Sequence, residues 1–78
     1  MQVISLFSGI GGAELAAEWV GWDVVVSCEI NPFGRKVLEY YWPNAYHHGD
    51  IHTLNYETII KNSRWEPALP TIVVGGFP

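Results

Sequence analysis

Apolar positions along this chain follow two alternating rhythms. Val3-Ile4-Ser5-Leu6-Phe7 is a nearly unbroken apolar run, which predicts a buried first strand over about 2–7. A small, glycine-rich turn follows, Ser8-Gly9-Ile10-Gly11-Gly12, and opens directly into the strong helix former Ala13-Glu14-Leu15-Ala16-Ala17-Glu18. The spacing predicts a helix over about 12–20, with Leu15, Ala16, Trp19 and Val20 at helical spacing and Gly21 as its C-terminal stop. Residues 22–28 then read as a second strand, because Val24-Val25-Val26 is the β-branched run of a strand covered on both faces. Asn31 is a good N-cap and Pro32 suits the first helical position, so a second helix starts there. It runs through Tyr41 and stops before Pro43, with Phe33, Val37 and Tyr40 or Tyr41 as the expected buried stripe.

The second half is less regular. Residues 45–48 predict a short third strand, Gly49-Asp50-Ile51 a loop, and residues 56–61 a short helix. Residues 62–70 carry polar side chains and two prolines and read as a connection. Thr71-Ile72-Val73-Val74 is a fourth strand, ending in Gly75-Gly76-Phe77-Pro78. Such strand–helix alternation means right-handed crossovers and a parallel sheet with helices on both faces.

Composition narrows the class. At 78 residues the chain holds at most one domain, yet 49% of it is hydrophobic and it carries four tryptophans. That content argues against disorder and suggests part of a larger folded unit. A net charge of −4 offers no basic footprint for gripping nucleic-acid phosphates. The single cysteine excludes an internal disulfide and suits a reducing, cytoplasmic compartment. No charged segment precedes a short apolar core and no apolar run approaches 18 residues, so neither a signal peptide nor a membrane span is expected.

The candidate chemistry lies where strands end. A strand, a glycine turn and a helix N-terminus in this order form a ligand site at the carboxyl edge of a parallel sheet. Glu29 closes the second strand at that edge, 20 residues beyond Gly9, the offset expected of an acid that accepts hydrogen bonds from ribose hydroxyls. Asp50 closes the third, where its carboxylate suits an adenine amine while the Ile51 backbone suits a ring nitrogen. Phe7, just before the turn, is placed to stack on adenine. These features describe a nucleoside-cofactor pocket. The dinucleotide fingerprint needs a third glycine where this chain has Glu14, and the phosphate-loop Gly-Lys-Ser/Thr ending is absent. A ribose acid without a pyrophosphate cradle favours S-adenosylmethionine, whose amino-acid tail would be received by backbone groups near residues 7–11.

Four motifs now stand in order: Leu6-Phe7-Ser8-Gly9-Ile10-Gly11-Gly12, Glu29-Ile30-Asn31-Pro32, Gly49-Asp50-Ile51 and Gly75-Gly76-Phe77-Pro78. Together they resemble the first four motifs of the DNA (cytosine-5) methyltransferases, over essentially the whole chain. The resemblance implies the N-terminal half of a Rossmann-like, S-adenosylmethionine-dependent α/β methyltransferase fold, with residues 1–78 as a partial cofactor-binding domain. It implies cofactor contacts from Phe7, Ser8, Gly9, Ile10, Gly11 and Gly12, from Glu29 and Ile30, from Asp50 and Ile51, and from Gly76 and Pro78. In that family a cysteine follows the Gly-Phe-Pro turn, and its thiolate attacks C6 of a flipped-out cytosine so that C5 accepts the methyl group. Here the chain stops at Pro78, so the fragment alone is expected to be inactive and to bind DNA weakly or not at all. Ser5 stands where many relatives have aspartate, which bears on hydrogen bonding around the turn more than on identity. A non-catalytic cofactor-binding or interaction module of the same descent is the alternative.

Other residues carry plainer expectations. Cys28 reads as a buried thiol at a strand end and not as the nucleophile. His47, His48 and His52 do not form a zinc spacing with Cys28, so no metal is expected. Trp19, Trp22, Trp42 and Trp65 are expected to pack and not to stack on bases. Arg35 and Lys36 are expected on a solvated helix face. The sheet order that the resemblance implies, with the first strand flanked by the second and third on one side and the fourth on the other, puts Ile72-Val73-Val74 at an open edge, where a second copy of the chain would pair.

Overall fold

The computed structural model describes residues 1–6, 9 and 11–75. Phe7, Ser8, Ile10, Gly76, Phe77 and Pro78 lie outside the described residues, and with them the roles expected of those positions.

The described chain runs β1 (Gln2–Leu6), α1 (Gly12–Trp19), β2 (Asp23–Cys28), α2 (Pro32–Tyr41), β3 (Tyr46–His48), a 3₁₀ turn (Ile51–Thr53), α3 (Tyr56–Asn62) and β4 (Thr71–Gly75). The strands form one sheet in the order β3-β2-β1-β4, with every pairing parallel. This is the α/β, Rossmann-like arrangement expected from the alternation. The chain steps outward from β1 to β2 to β3 and then returns across the sheet to β4, which places β1 and β2 at its centre. Right-handed crossovers consequently put α1 and α2 on one face and α3 on the other. Packing agrees. Val3, Ala17 and Val24 form a cluster with Trp42 and Val74 on the first face. Ile4, Val25 and Val26 form another with Ile59 and Trp65 on the second.

The helix boundaries follow the local chemistry. Asn31 Oδ1 accepts from the amides of Phe33 and Gly34, and Pro32 occupies the first turn of α2, where its missing N–H costs nothing. Gly21, at φ +78°, turns the chain out of α1 while its amide reaches the Glu18 carbonyl at 3.1 Å. The 62–70 connection is organised by buried Gln2. Its side chain exchanges two hydrogen bonds with the Glu66 backbone, at 2.9 and 2.8 Å.

The faces of the two larger helices differ from expectation. In α2 the buried residues are Gly34 and Leu38, whereas Phe33 and Tyr40 are 74% and 79% exposed and Tyr41 is exposed as well. Val37 is half-buried. In α1 the buried residues are Glu14 and Ala17, and Leu15, Trp19 and Val20 face outward. Leu38 and Trp42 lie against Gly11, Gly34 lies against Gly9 and Glu29, and the larger aromatic residues of α2 stand outside this contact. Tryptophan packing is divided accordingly. Trp42 and Trp65 pack against the core clusters, but Trp19 is 78% exposed and Trp22 is partly so.

Candidate functional site

The carboxyl ends of β1 and β2 are adjacent, with Leu6 opposite Cys28, so the glycine turn after β1 and Glu29 after β2 emerge side by side. They are joined directly. The Gly9 amide donates to Glu29 Oε1 at 2.7 Å, and the Asn31 amide donates to Oε2 at 2.8 Å. Each carboxylate oxygen thereby keeps acceptor capacity for a further donor. Glu29 remains half-buried at the strand end, and Ile30 beside it is 69% exposed.

The glycines of the turn have different reasons to be glycine. Gly9 sits at φ +59° with nothing within 4 Å of where a Cβ would stand, and Gly12, the first residue of α1, faces open space as well. Gly11, the N-cap at φ +100°, faces inward: a Cβ there would lie 2.9 Å from Trp42 Cζ3 and 3.1 Å from Leu38 Cδ2. One side of the described turn is thus seated against α2 and the other is open backbone. That open side lies beside an acid with free acceptor capacity.

Gly34 belongs to the site although no motif singles it out. A Cβ at Gly34 would meet the Gly9 carbonyl oxygen at 3.1 Å and Glu29 Cγ at 3.3 Å, so its absence lets α2 seat directly on the turn and the acid. The available signal is a glycine inside an otherwise helical stretch.

Glu14 is also more than a departure from a fingerprint. It is fully buried in the first turn of α1, with Oε1 accepting from Ser5 Oγ at 2.9 Å and Oε2 from Ser27 Oγ at 2.8 Å. Ser5 and Ser27 are register partners in β1 and β2, so one carboxylate fastens the helix to both central strands. Two hydroxyl donors and the positive end of the helix dipole compensate its burial.

The third strand end is held by its own network. Asp50 is exposed and its Oδ1 accepts from the His52 amide at 2.9 Å, capping the 3₁₀ turn that Ile51 begins. The Thr53 hydroxyl donates to the Asp50 carbonyl at 2.9 Å, so it accepts from His48 Nε2–H at 2.7 Å. His48 Nδ1 pairs with the Tyr46 hydroxyl at 2.6 Å. His47 Nε2 pairs with the Trp42 carbonyl at 2.7 Å, and its buried Nδ1 has no partner among the described residues. Both imidazoles therefore serve the backbone and the loop. No group of three or more His, Cys, Asp and Glu is placed to hold a metal among the described residues.

Arg35 departs from the expected solvated face. Its Nη1 donates to the Glu29 carbonyl at 3.0 Å and the Ile30 carbonyl at 3.4 Å, and it lies where a Cβ on Gly49 would come within 2.7 Å. The guanidinium thus holds the carbonyls that follow β2 and packs beside Gly49, which follows β3. Cys28 is 2% exposed, with Sγ 3.8 Å from the Gly49 carbonyl oxygen. Burial pushes its thiol pKa up, the carboxylates of Glu29 and Asp50 push it further, and Arg35 opposes them. A protonated, enclosed thiol is a poor nucleophile.

No helix among the described residues is long and apolar enough to cross a membrane. The sequence model of the C-5 cytosine-specific DNA methylases matches residues 1–78. The chain is 39% identical over its whole length to the type II methyltransferase M2.BsuMI of Bacillus subtilis (strain 168), and spans 18% of that protein. It is 34% identical, again over its whole length, to the DNA (cytosine-5)-methyltransferase DRM1 of Arabidopsis thaliana, of which it spans 14%. A rice protein (Oryza sativa subsp. japonica) named "Probable inactive DNA (cytosine-5)-methyltransferase DRM3" is 35% identical across 70% of the chain, which covers 8% of it. No solved structure matches. The strand order, the glycine turn joined to Glu29 and a family match along the whole sequence agree: the chain belongs to the C-5 cytosine-specific DNA methylase family.

Proposed function

We propose that these 78 residues are the S-adenosylmethionine-binding portion of a DNA (cytosine-5) methyltransferase, acting on DNA within a longer intracellular protein. The observation that carries this reading is the Glu29 carboxylate, held by the Gly9 and Asn31 amides beside a turn whose Gly9 and Gly12 face open space. In it, Glu29 accepts from the ribose hydroxyls, Ile30 borders the ribose, and the amides and carbonyls of the 7–12 turn receive the amino-acid tail. Asp50 and Ile51 read adenine, Asp50 through the carboxylate oxygen that the His52 amide leaves open. Phe7 stacks on the base, and Gly76 and Pro78 border the cofactor. The bound cofactor supplies an electrophilic methyl group on a sulfonium. The thiol that attacks cytosine belongs to the rest of the longer protein, because Cys28 is this chain's one cysteine and it is enclosed.

The second reading, a non-catalytic binding module, is favoured by that same enclosed cysteine and by the name of the rice relative. Calorimetric titration tests the cofactor assignment. S-adenosylmethionine should bind the chain, and Glu29→Ala should abolish the heat. A wild-type chain that gives no heat overturns the assignment for both readings. Methyl transfer to cytosine-containing DNA by the 78 residues alone would overturn the placement of the nucleophile elsewhere.

A further inference from the structure

We propose that Glu14 is a positioning residue for the cofactor site: it never touches the cofactor, but it sets the glycine turn and Glu29 in register with each other. The proposal rests on the assignment of S-adenosylmethionine to this strand edge. Its basis is three hydrogen bonds that link α1 to both central strands and the turn to the acid. Glu14, in the first turn of α1, takes Ser5 Oγ of β1 on one oxygen and Ser27 Oγ of β2 on the other. Ser5 lies one residue before the end of β1, which leads into the turn, and Ser27 lies two residues before Glu29. Beyond the two strand ends, the Gly9 amide donates to Glu29 Oε1.

A fully buried carboxylate with no cation beside it is costly unless its acceptors are filled. If the position served packing alone, leucine would occupy the same volume without that cost. A carboxylate offers what leucine lacks, two acceptors on one rigid group, and here they fall on a pair of hydroxyls from adjacent strands. The helix whose N-terminus abuts the turn is therefore fixed in height and rotation against the two strands that carry the ligand groups. Sliding α1 by a fraction of an ångström would stretch both bonds at once and move Gly11 and Gly12 relative to Glu29.

Stability and binding separate this role from a merely structural one. Glu14→Leu alone takes the acceptor from two buried hydroxyls and should melt below wild type, whereas Glu14→Leu combined with Ser5→Ala and Ser27→Ala removes donors and acceptor together and should melt within a few degrees of wild type. In both variants the affinity for S-adenosylmethionine in calorimetry should fall by about tenfold or more. Glu14→Gln accepts from one serine and donates to the other, so it should rescue binding to within about threefold. Wild-type affinity in Glu14→Leu overturns the proposal. Should Glu14→Leu fail to fold, the combined Glu14→Leu, Ser5→Ala and Ser27→Ala variant, which leaves neither these donors nor the acceptor in the core, replaces it under the same expectation, and wild-type affinity there overturns it equally. A second readout needs no ligand. Amide exchange at Gly9 should quicken about tenfold or more in Glu14→Leu while Val25 and Val26 stay protected. If the wild-type chain binds no S-adenosylmethionine, the cofactor assignment falls, and the exchange experiment still decides Glu14: unchanged protection at Gly9 overturns its positioning role.

Discussion

Gly9 and Glu29 are joined by a 2.7 Å hydrogen bond from the Gly9 amide to Glu29 Oε1, linking the turn after β1 to the end of β2. The acid proposed to receive the ribose is thus already engaged in shaping the turn proposed to receive the amino-acid tail. Substitution at Glu29 should act on both. Glu29→Ala removes the acceptor for the Gly9 and Asn31 amides, and a hydrogen bond to a charged group contributes about 1.5–3 kcal/mol. Glu29→Gln keeps one oxygen. Calorimetry should therefore rank affinity for S-adenosylmethionine as wild type, Gln, then Ala, with Ala weaker by at least about tenfold. Equal affinity in all three would detach the acid from the cofactor.

Gly11 and Gly12 should respond in opposite ways. Gly11→Ala places a Cβ 2.9 Å from Trp42 Cζ3 at φ +100°, so it adds a clash to a strained backbone and should destabilise by about 2 kcal/mol or more. Gly12→Ala meets nothing within 4 Å and lies in helical backbone, where alanine is favoured by about 0.5–1 kcal/mol. It should raise the melting temperature. Because the methyl projects into open space at the turn, the same variant should bind S-adenosylmethionine more weakly. A Gly12→Ala chain that is stabilised and binds normally would place the ligand away from the first turn of α1.

Gly34 sets a helix preference against a close contact. Glycine-to-alanine inside a helix ordinarily gains about 0.5–1 kcal/mol. Here the added Cβ would press on the Gly9 carbonyl at 3.1 Å and on Glu29 Cγ at 3.3 Å. Overpacking of this kind costs about 1–3 kcal/mol, so Gly34→Ala should show no net stabilisation in urea unfolding and should displace the Glu29 carboxylate. A gain of the full helical amount would mean that the turn yields freely and that the close seating of α2 has no consequence.

The chain is legible from residues alone in its strands and less so in its helix faces. The edge carrying Glu29 and Asp50 is legible, because Val24-Val25-Val26 marks a buried strand and consecutive parallel strands end at the same edge. The strand order is not, since handedness alone does not fix it and only the resemblance to the family supplies it. Helix faces are not legible either. Hydrophobic spacing favours Phe33 and Tyr40, whereas proximity to a glycine turn selects Gly34 and Leu38 for the contact. The Glu14–Ser5–Ser27 bridge is hidden for a related reason: each member alone reads as an ordinary helix or strand residue, and only the register that sets Ser5 opposite Ser27 gives the carboxylate two donors. Arg35 reads as solvated until the loop containing Gly49 is folded against it.

Cys28 gives a pH dependence of definite sign. Burial first, then Glu29 and Asp50, raise its pKa in the folded chain above the unfolded value. The folded state therefore holds the proton more tightly. Its contribution to stability is complete below the ordinary thiol pKa of about 8.5 and is lost as pH rises from there through the raised folded value. Urea unfolding of wild type and Cys28→Ala across pH 7.5–10.5 should isolate this component as a steeper alkaline loss in wild type, a range set by that thiol value of about 8.5. Parallel curves would mean that the thiol ionises alike in both states.

The outer edge of the sheet bears on how copies of the chain meet. β4 pairs with β1 on one side, no described strand lies on its other side, and Val73 is 59% exposed. An unpaired edge with a β-branched apolar sequence is a template for another strand, and a single charge on it is the common natural deterrent. The wild-type chain should therefore gain mass with concentration in light scattering, and Val73→Lys should suppress the gain. Because Val73 is exposed and its apolar side chain makes no hydrogen bond, the variant should melt close to wild type, and surface changes of this kind fall within about 0.5 kcal/mol. Wild type that stays strictly monomeric at high concentration would show that the edge is blunted despite its sequence. Self-association that survives Val73→Lys would move the contact to another surface, of which the apolar cleft of about 240 Å³ between α1 and β4, lined by Ala13, Ala16, Val20 and Val74, is the one a charged substitution at Ala16 would test next.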